Sequence, residues 1–143
     1  TGNAVFLSGD SALSALSLDL GNPHTVVALP ESYDLGAVDL THAPTVRPEP
    51  VAGTNVEVVR PLGVRHIAMR VHERGVGETR SCGTGAAAAA LATSFWSGED
   101  EPAGDWQVDV PGGRLRVRGL AGHEVELAGP AALVADGVLT LPA

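Results

Sequence analysis

Cys82 is the residue whose position most clearly suggests chemistry. It is the only cysteine among 143 residues and stands in Ser-Cys-Gly-Thr-Gly at 81–85, directly before an alanine run at 86–90. A glycine-rich turn followed by strong helix formers predicts a helix that begins at this cysteine. Helix N-termini favour the thiolate form of cysteine and bind anions. The sequence therefore predicts a reactive thiolate facing a ligand with a carboxylate; a buried structural cysteine is the competing interpretation.

The residues after the cysteine suit that ligand. The first N–H groups of a helix have no partner within it. Gly83 and Gly85 let a ligand come close to the backbone, and Thr84 adds a hydroxyl. We expect Gly83 and Thr84 to hold a carboxylate beside the sulfur.

A second candidate segment is Gly-Asn-Pro-His at 21–24, which interrupts a strand pattern. Proline cannot donate to a strand ladder, so the chain is expected to bulge or turn there. Asn22 and His24 would then project from a fixed backbone. His24 could bond a thiolate or assist proton transfer. An ordinary turn with a surface histidine is the simpler interpretation of this segment alone.

Glu73 and Arg74 stand at the end of the most regular strand pattern, directly before a glycine. Together they could hold the ammonium and the carboxylate of one amino acid, because arginine suits two-pronged carboxylate recognition. A solvated strand end is the alternative. Asn55 has a weaker signal, since it could be only a strand-entry residue. His42, His66, His72 and His123 lack metal-ligand spacing, and we predict no metal site.

Composition excludes several classes of function. The formal net charge is −8 and no run of basic residues occurs, which argues against nucleic acid and anionic membranes as partners. No apolar stretch approaches the roughly 20 residues of a membrane span. One cysteine excludes an internal disulfide framework and fits a reducing, cytoplasmic location. Plentiful alanine, glycine, valine and arginine without lysine favour a high-GC bacterial source.

The chain predicts an α+β lobe, a mostly antiparallel curved sheet around one alanine-rich helix at 83–96 that is buried nearly all round. Aromatic residues make up only 3%, so the core must be built from valine, leucine and alanine. The expected strands include 54–60 and 64–73, and Pro-Gly-Gly at 111–113 predicts a hairpin turn. We also expect a short helix at 33–40, a loop at 41–50 and a final strand at 132–141.

Four segments together resemble the diaminopimelate epimerase family. They are Gly-Asn-Pro-His at 21–24, Thr-Asn-Val-Glu at 54–57, Met-Arg-Val-His-Glu-Arg-Gly-Val-Gly-Glu-Thr at 69–79 and Ser-Cys-Gly-Thr-Gly-Ala at 81–86. Glu-Leu-Ala-Gly-Pro-Ala at 126–131 is similar to the family's closing hairpin. The likeness runs from about residue 18 to the end. It implies that residues 1–143 are the C-terminal lobe of such an enzyme, and we expect the N-terminal lobe to be absent from this chain.

The resemblance implies a cofactor-independent enzyme that interconverts LL- and meso-diaminopimelate for lysine and peptidoglycan synthesis. Two similar lobes would enclose the substrate, and each would supply one cysteine at the start of its central helix. One thiolate removes the α-proton while the opposite thiol delivers a proton to the other face. By match of motif, Cys82 is the acid/base of this lobe.

The resemblance also implies roles for the remaining candidates. Gly83 and Thr84 would hold the reacting carboxylate. The amino groups and the distal end of the substrate would be held by Glu73 and Arg74 with Asn22 and Asn55. His24 and Glu73 would support the cysteines.

Alone, such a lobe is expected to be inactive or nearly so, and the bare cleft wall could drive self-association into a homodimer. Two related enzyme groups fit less well: proline racemase-like proteins lack the Glu-Arg-Gly block, and phenazine-biosynthesis-type isomerases lack the cysteine. A lobe that binds small acids or senses oxidation through Cys82 is the non-enzymatic alternative.

Overall fold

The other elements of the molecule are arranged around an alanine-rich helix, α1 (Gly83–Trp96). The computed structural model describes residues 3–7, 11–99, 104–122 and 124–142. The helix is capped at its start by Cys82 and ends before Gly98, whose φ of +77° suits a glycine that closes a helix. Residues 85–90 and 92–94 are buried, so the sequence prediction of a helix buried nearly all round is confirmed.

Ten strands among the described residues form one sheet around this helix. They are β1 (Asn3–Phe6), β2 (Leu13–Asp19), β3 (Pro23–Ala28), β4 (Thr45–Arg47), β5 (Asn55–Gly63), β6 (His66–Glu73), β7 (Gly77–Thr79), β8 (Asp105–Val110), β9 (Gly113–Leu120) and β10 (Glu124–Ala128). The order is β10-β9-β8-β6-β5-β3-β2-β1-β4, with β7 added to β6. Only β3–β5 and β6–β8 pair in parallel, so the curved sheet is mostly antiparallel, as expected.

The sheet has an apolar core on each face. On one face, Val59, Ile67 and Trp106 pack against the alanines of α1. On the other face, Val27, Leu40 and other buried side chains form a second cluster. Because successive strand residues point to opposite faces, neighbours such as Val58 and Val59 belong to different cores. Methyl side chains let the helix lie close to several strands at once.

Several sequence predictions need correction. The helix expected at 33–40 is only a 3₁₀ turn at Leu35–Ala37. The loop expected at 41–50 contains β4, an edge strand that pairs with β1. The strand expected at 64–73 begins two residues later, because Arg65 adopts a left-handed conformation with φ of 51°. The hairpin turn at 111–113 is confirmed between β8 and β9.

The strand expected at 132–141 is wrong. Residues 129–142, here called the exposed tail, have no regular secondary structure, and every one of them is exposed. A strand needs a neighbouring strand to bond with, and the tail leaves the sheet at a Gly-Pro pair that ends the pairing of β10 with β9. Within the described residues, no helix has the length and apolar character to cross a membrane.

Candidate functional site

Cys82 lies at the start of α1 with its backbone still extended, φ −135° and ψ 114°. The N–H of Gly85 donates to its sulfur over 3.4 Å, and the hydroxyl of Thr84 lies 3.7 Å from the same atom. The thiol is free and partly exposed. The N–H groups of Gly83 and Thr84 open the helix and have no acceptor inside it. The predicted thiol and carboxylate cradle are therefore adjacent, at the positive end of the helix dipole.

The turn between β2 and β3 brings Asn22 to this helix start. Asp19 accepts a bond from the N–H of Gly21, whose φ of +88° is accessible to glycine, and Pro23 then begins β3. Asn22 Nδ2 donates to Thr84 Oγ1 over 3.4 Å. The expected turn at 21–24 is thus confirmed, and it links the two segments that carry the candidate residues.

His24 is buried beneath that turn. Its Nε2 lies 3.1 Å from Asn22 Oδ1, and its Nδ1 lies 2.7 Å from Glu57 Oε1. The side chains of His24 and Glu57 are both fully buried. His24 is therefore not the surface histidine of the simpler interpretation.

Glu57 is the site residue that sequence reasoning missed. Burial raises the pKa of its carboxyl above the usual range, and the hydrogen bond with His24 opposes that rise. Its second oxygen has no hydrogen-bond partner among the described residues. A signal was available, because residues 55, 57 and 59 of β5 share the buried helix-side face, where an acidic residue is unusual.

Asn55 and Arg74 form a second group next to the first. Asn55 donates to the carbonyl of Pro23 and accepts from the N–H of Arg74, both over 2.9 Å. The Arg74 guanidinium donates to the carbonyl of Ala52 over 2.7 Å. Both ends of the Asn55 amide are thus occupied by backbone, so this residue joins the start of β3 to the end of β6.

Glu73 is the last residue of β6, directly before Arg74. One of its carboxylate oxygens accepts a hydrogen bond from the hydroxyl of Thr79 across the β6–β7 turn. The acidic partner of His24 among the described residues is Glu57 rather than Glu73. Support of the thiol by Glu73 stays a prediction.

Two open cavities border the site. One, of about 530 Å³, is lined by Gly83 and Thr84 together with apolar side chains that include Leu18 and Leu127. The other, of about 620 Å³, is lined by Arg74 and the segment around β4. The predicted carboxylate cradle and the predicted arginine clamp thus border different cavities in this chain.

The remaining histidines lie elsewhere. His66 is bonded to Asp109 over 2.7 Å, and His72 is bonded to the carbonyl of Leu40 over 2.9 Å. His42 is exposed next to Thr41. His123 lies outside the described residues. In the part of the chain that the structure describes, no group of three or more His, Cys, Asp or Glu side chains is arranged to hold a metal ion.

Comparison with known proteins gives a consistent result. The family model described as diaminopimelate epimerase matches residues 16–134. A diaminopimelate epimerase of Streptomyces coelicolor is 43% identical over 95% of this chain. Diaminopimelate epimerases of Rhodococcus opacus and Acidothermus cellulolyticus are 45% and 44% identical over 88% and 92% of it. These are high-GC actinobacteria, in agreement with the composition.

The matches cover most of this chain but a much smaller share of each relative. They span 51% of the Streptomyces protein, 44% of the Rhodococcus protein and 43% of the Acidothermus protein. The chain therefore spans about half the length of the curated relatives it matches.

Proposed function

The chain belongs to the diaminopimelate epimerase family, and from that premise we propose that it supplies one half of the active site of an enzyme that epimerises LL-diaminopimelate to meso-diaminopimelate. The observation that carries the proposal is the partly exposed Cys82 sulfur at the start of α1, which accepts a hydrogen bond from the Gly85 N–H and lies 3.7 Å from the Thr84 hydroxyl. In this role Cys82 removes or returns the α-proton.

The chemistry explains why half a site is expected. Inverting a carbon centre without a cofactor needs a base on one face and an acid on the opposite face. A single thiol can serve only one face. The acid or base for the opposite face must therefore come from another part of the enzyme. We propose that the N-terminal lobe supplies it, with a thiol of its own.

Gly83 and Thr84 hold the α-carboxylate of the substrate in this proposal. Their N–H groups point out of the helix start, where the helix dipole favours an anion. Removal of the α-proton shifts negative charge onto that carboxylate, so the same donors stabilise the transition state more than the ground state. No metal or organic cofactor has a part in this mechanism.

The other candidates hold and orient the substrate. Asn22 reaches the helix start through Thr84, and His24 fixes Asn22 from below. Glu73 and Arg74 bind the amino group and the distal carboxylate. Asn55 acts on the substrate mainly through Arg74, because both ends of its amide hold backbone groups.

Exposed apolar side chains support the proposal of a second lobe. The exposed tail carries Leu133, Val138 and Leu139 with four-fifths or more of their surface in solvent. The cavity next to Gly83 is walled by leucines and valine. Surfaces of this kind mark contact sites, and we propose that the N-terminal lobe covers them. Self-association into a homodimer is the expected behaviour of the chain alone.

We assign the enzyme to the reducing cytoplasm, where its thiol stays reduced.

The test is exchange of the substrate α-proton. The purified chain is incubated with meso-diaminopimelate in heavy water under reducing conditions, and the α-signal is followed by NMR. A parallel sample contains the separately expressed N-terminal half of the Streptomyces coelicolor relative. We expect exchange only when that half is added. Absence of exchange from halves that demonstrably associate would contradict the proposal and favour a lobe that binds small acids or senses oxidation.

A further inference from the structure

The buried pair of Glu57 and His24 lies on the face of β3 and β5 that packs against α1. Both side chains are fully buried, and only 2.7 Å separates Oε1 from Nδ1. Burying a carboxylate costs free energy unless it is paired, and an apolar residue at position 57 would pack against the alanines at no such cost. The pair therefore calls for a functional explanation.

A directed series of hydrogen bonds leads from this pair to the sulfur. Asn22 Oδ1 can only accept, so the neighbouring His24 Nε2 carries a hydrogen and donates it over 3.1 Å. Asn22 Nδ2 in turn donates to Thr84 Oγ1 over 3.4 Å. The Thr84 oxygen has then accepted a hydrogen bond, and its own hydroxyl hydrogen can point to Cys82 Sγ, 3.7 Å away.

We propose that Glu57 is a positioning residue that fixes the orientation of His24 and thereby makes Thr84 a hydrogen-bond donor to the sulfur of Cys82. The proposal deepens the function proposed above and rests on it. Glu57 holds Nδ1, which leaves Nε2 aimed at Asn22. The sulfur then receives two donors, the Thr84 hydroxyl and the Gly85 N–H, which favours the thiolate that abstracts a proton.

The geometry at Gly85 shows that Glu57 lies close to the helix start. A Cβ atom added to Gly85 would lie 2.8 Å from Glu57 Oε1 and 3.2 Å from Cys82 Sγ. The carboxylate and the sulfur thus flank the same glycine. Glu57 therefore lies between the His24 imidazole and the first turn of α1.

The test compares Glu57→Leu with Glu57→Gln in the chain alone. Glutamine can donate to Nδ1 and keep the ring in place, whereas leucine cannot. Cys82 is the only thiol, so alkylation by iodoacetamide reports on it alone. We expect Glu57→Leu to slow alkylation at neutral pH roughly threefold to tenfold and to move its pH profile upward, while Glu57→Gln stays within about twofold of the original chain.

A spectroscopic readout separates positioning from a merely structural role. In the ¹⁵N-labelled chain, the His24 ring signals, assigned by their loss in His24→Gln, should show a hydrogen on Nε2 that exchanges slowly with water. The same signal should persist in Glu57→Gln and exchange rapidly in Glu57→Leu. Val59→Ala is the matched control, because it removes buried apolar volume from the same face of β5 and leaves the carboxylate. It should lower stability without changing either readout.

Two results would overturn the proposal. The first is a Glu57→Gln chain that reacts as slowly as Glu57→Leu, since charge and not position would then matter. The second is a His24 Nε2 without hydrogen in the unsubstituted chain, a measurement that remains decisive even where Glu57→Leu does not fold. No substrate is present in these measurements. Failure of α-proton exchange would therefore remove the proposed function and leave the positioning role standing.

Discussion

The start of α1 and the exposed tail present their side chains in opposite ways. At the helix start, polar groups from β3, β5 and α1 are bonded to one another, and the acidic member of the network is fully buried. In the tail, apolar residues such as Leu133 and Val138 are wholly exposed. Burying an acidic side chain at the helix start costs free energy, and so does exposing apolar side chains in the tail.

This difference shows which part of the site the chain completes by itself. The orientation of the sulfur and its donors depends only on residues of this chain. The apolar side chains of the exposed tail are uncovered among the described residues, and the proposed second lobe would cover them. The following predictions test the contrast between a self-contained polar network and an incomplete apolar surface, in order of decreasing expected effect.

The largest effect is expected from Cys82→Ser in the chain assembled with the complementary half. Serine cannot form the required base near neutral pH, so α-proton exchange should fall by about 10³-fold or more. Ser81→Ala is the matched control, because that exposed neighbour does not belong to the network. An assembly that keeps a tenth of its exchange rate with Cys82→Ser would show that another group abstracts the proton.

The next contrast compares two apolar truncations. Ile67→Ala removes a fully buried side chain from the helix-side core and should lower the free energy of unfolding by about 2–5 kcal/mol. Leu139 is 81% exposed, so Leu139→Ala should change it by less than about 0.5 kcal/mol. Urea unfolding measures both. A clear loss for Leu139→Ala would mean that the tail packs against the sheet in solution, whereas weaker binding of the complementary half is the expected phenotype.

Two glycines in the first turn of α1 provide a smaller and more local contrast. Gly85→Ala would force a methyl group against Glu57 and Cys82, and we expect it to cost about 1–3 kcal/mol although alanine favours helices. In Gly83→Ala the added atom meets only the flexible end of Leu127, so the loss should be smaller. Thermal unfolding of both variants gives the comparison. Equal losses of stability in the two variants would contradict this expectation, because Glu57 and Cys82 would then move aside as easily as the end of the Leu127 side chain.

The smallest effect concerns pH. In the described part of the chain, two titratable groups act on Glu57, His24 from β3 and Glu73 from β6. Because burial raises its pKa in the folded chain, the folded state holds the Glu57 proton more tightly than the unfolded state. The stability this gives is complete below the ordinary carboxyl pKa and is lost as pH rises through the raised value. Relative to Glu57→Gln, the original chain should therefore lose stability over that interval. Urea unfolding at several pH values measures this difference. A free energy of unfolding that changes equally with pH in the two chains would contradict this expectation.

Local rules predicted much of this architecture. Alanine propensity and glycine placement identified α1 and its start at Cys82, and the proline at 23 predicted the turn that carries Asn22. The sequence placed an acidic residue on the buried face of β5 but not its partner, because Glu57 bonds a histidine 33 positions away that reaches it only through the parallel pairing of β3 with β5. The strand prediction for the tail was wrong for a different reason. Its apolar residues are typical of a strand, but no neighbouring strand among the described residues pairs with it.

The alanine run has a mechanical consequence. A buried alanine has no side-chain torsion to adjust, so the alanine run at 86–90 meets the surrounding strands through methyl groups and backbone alone. The helix therefore has little freedom to rotate or slide, and the first turn shares that stiffness. The sulfur is connected to this rigid body by the short side chain of one residue. A change in the position of the thiol would then require α1 to move together with the sheet packed around it, rather than local bending at the cysteine.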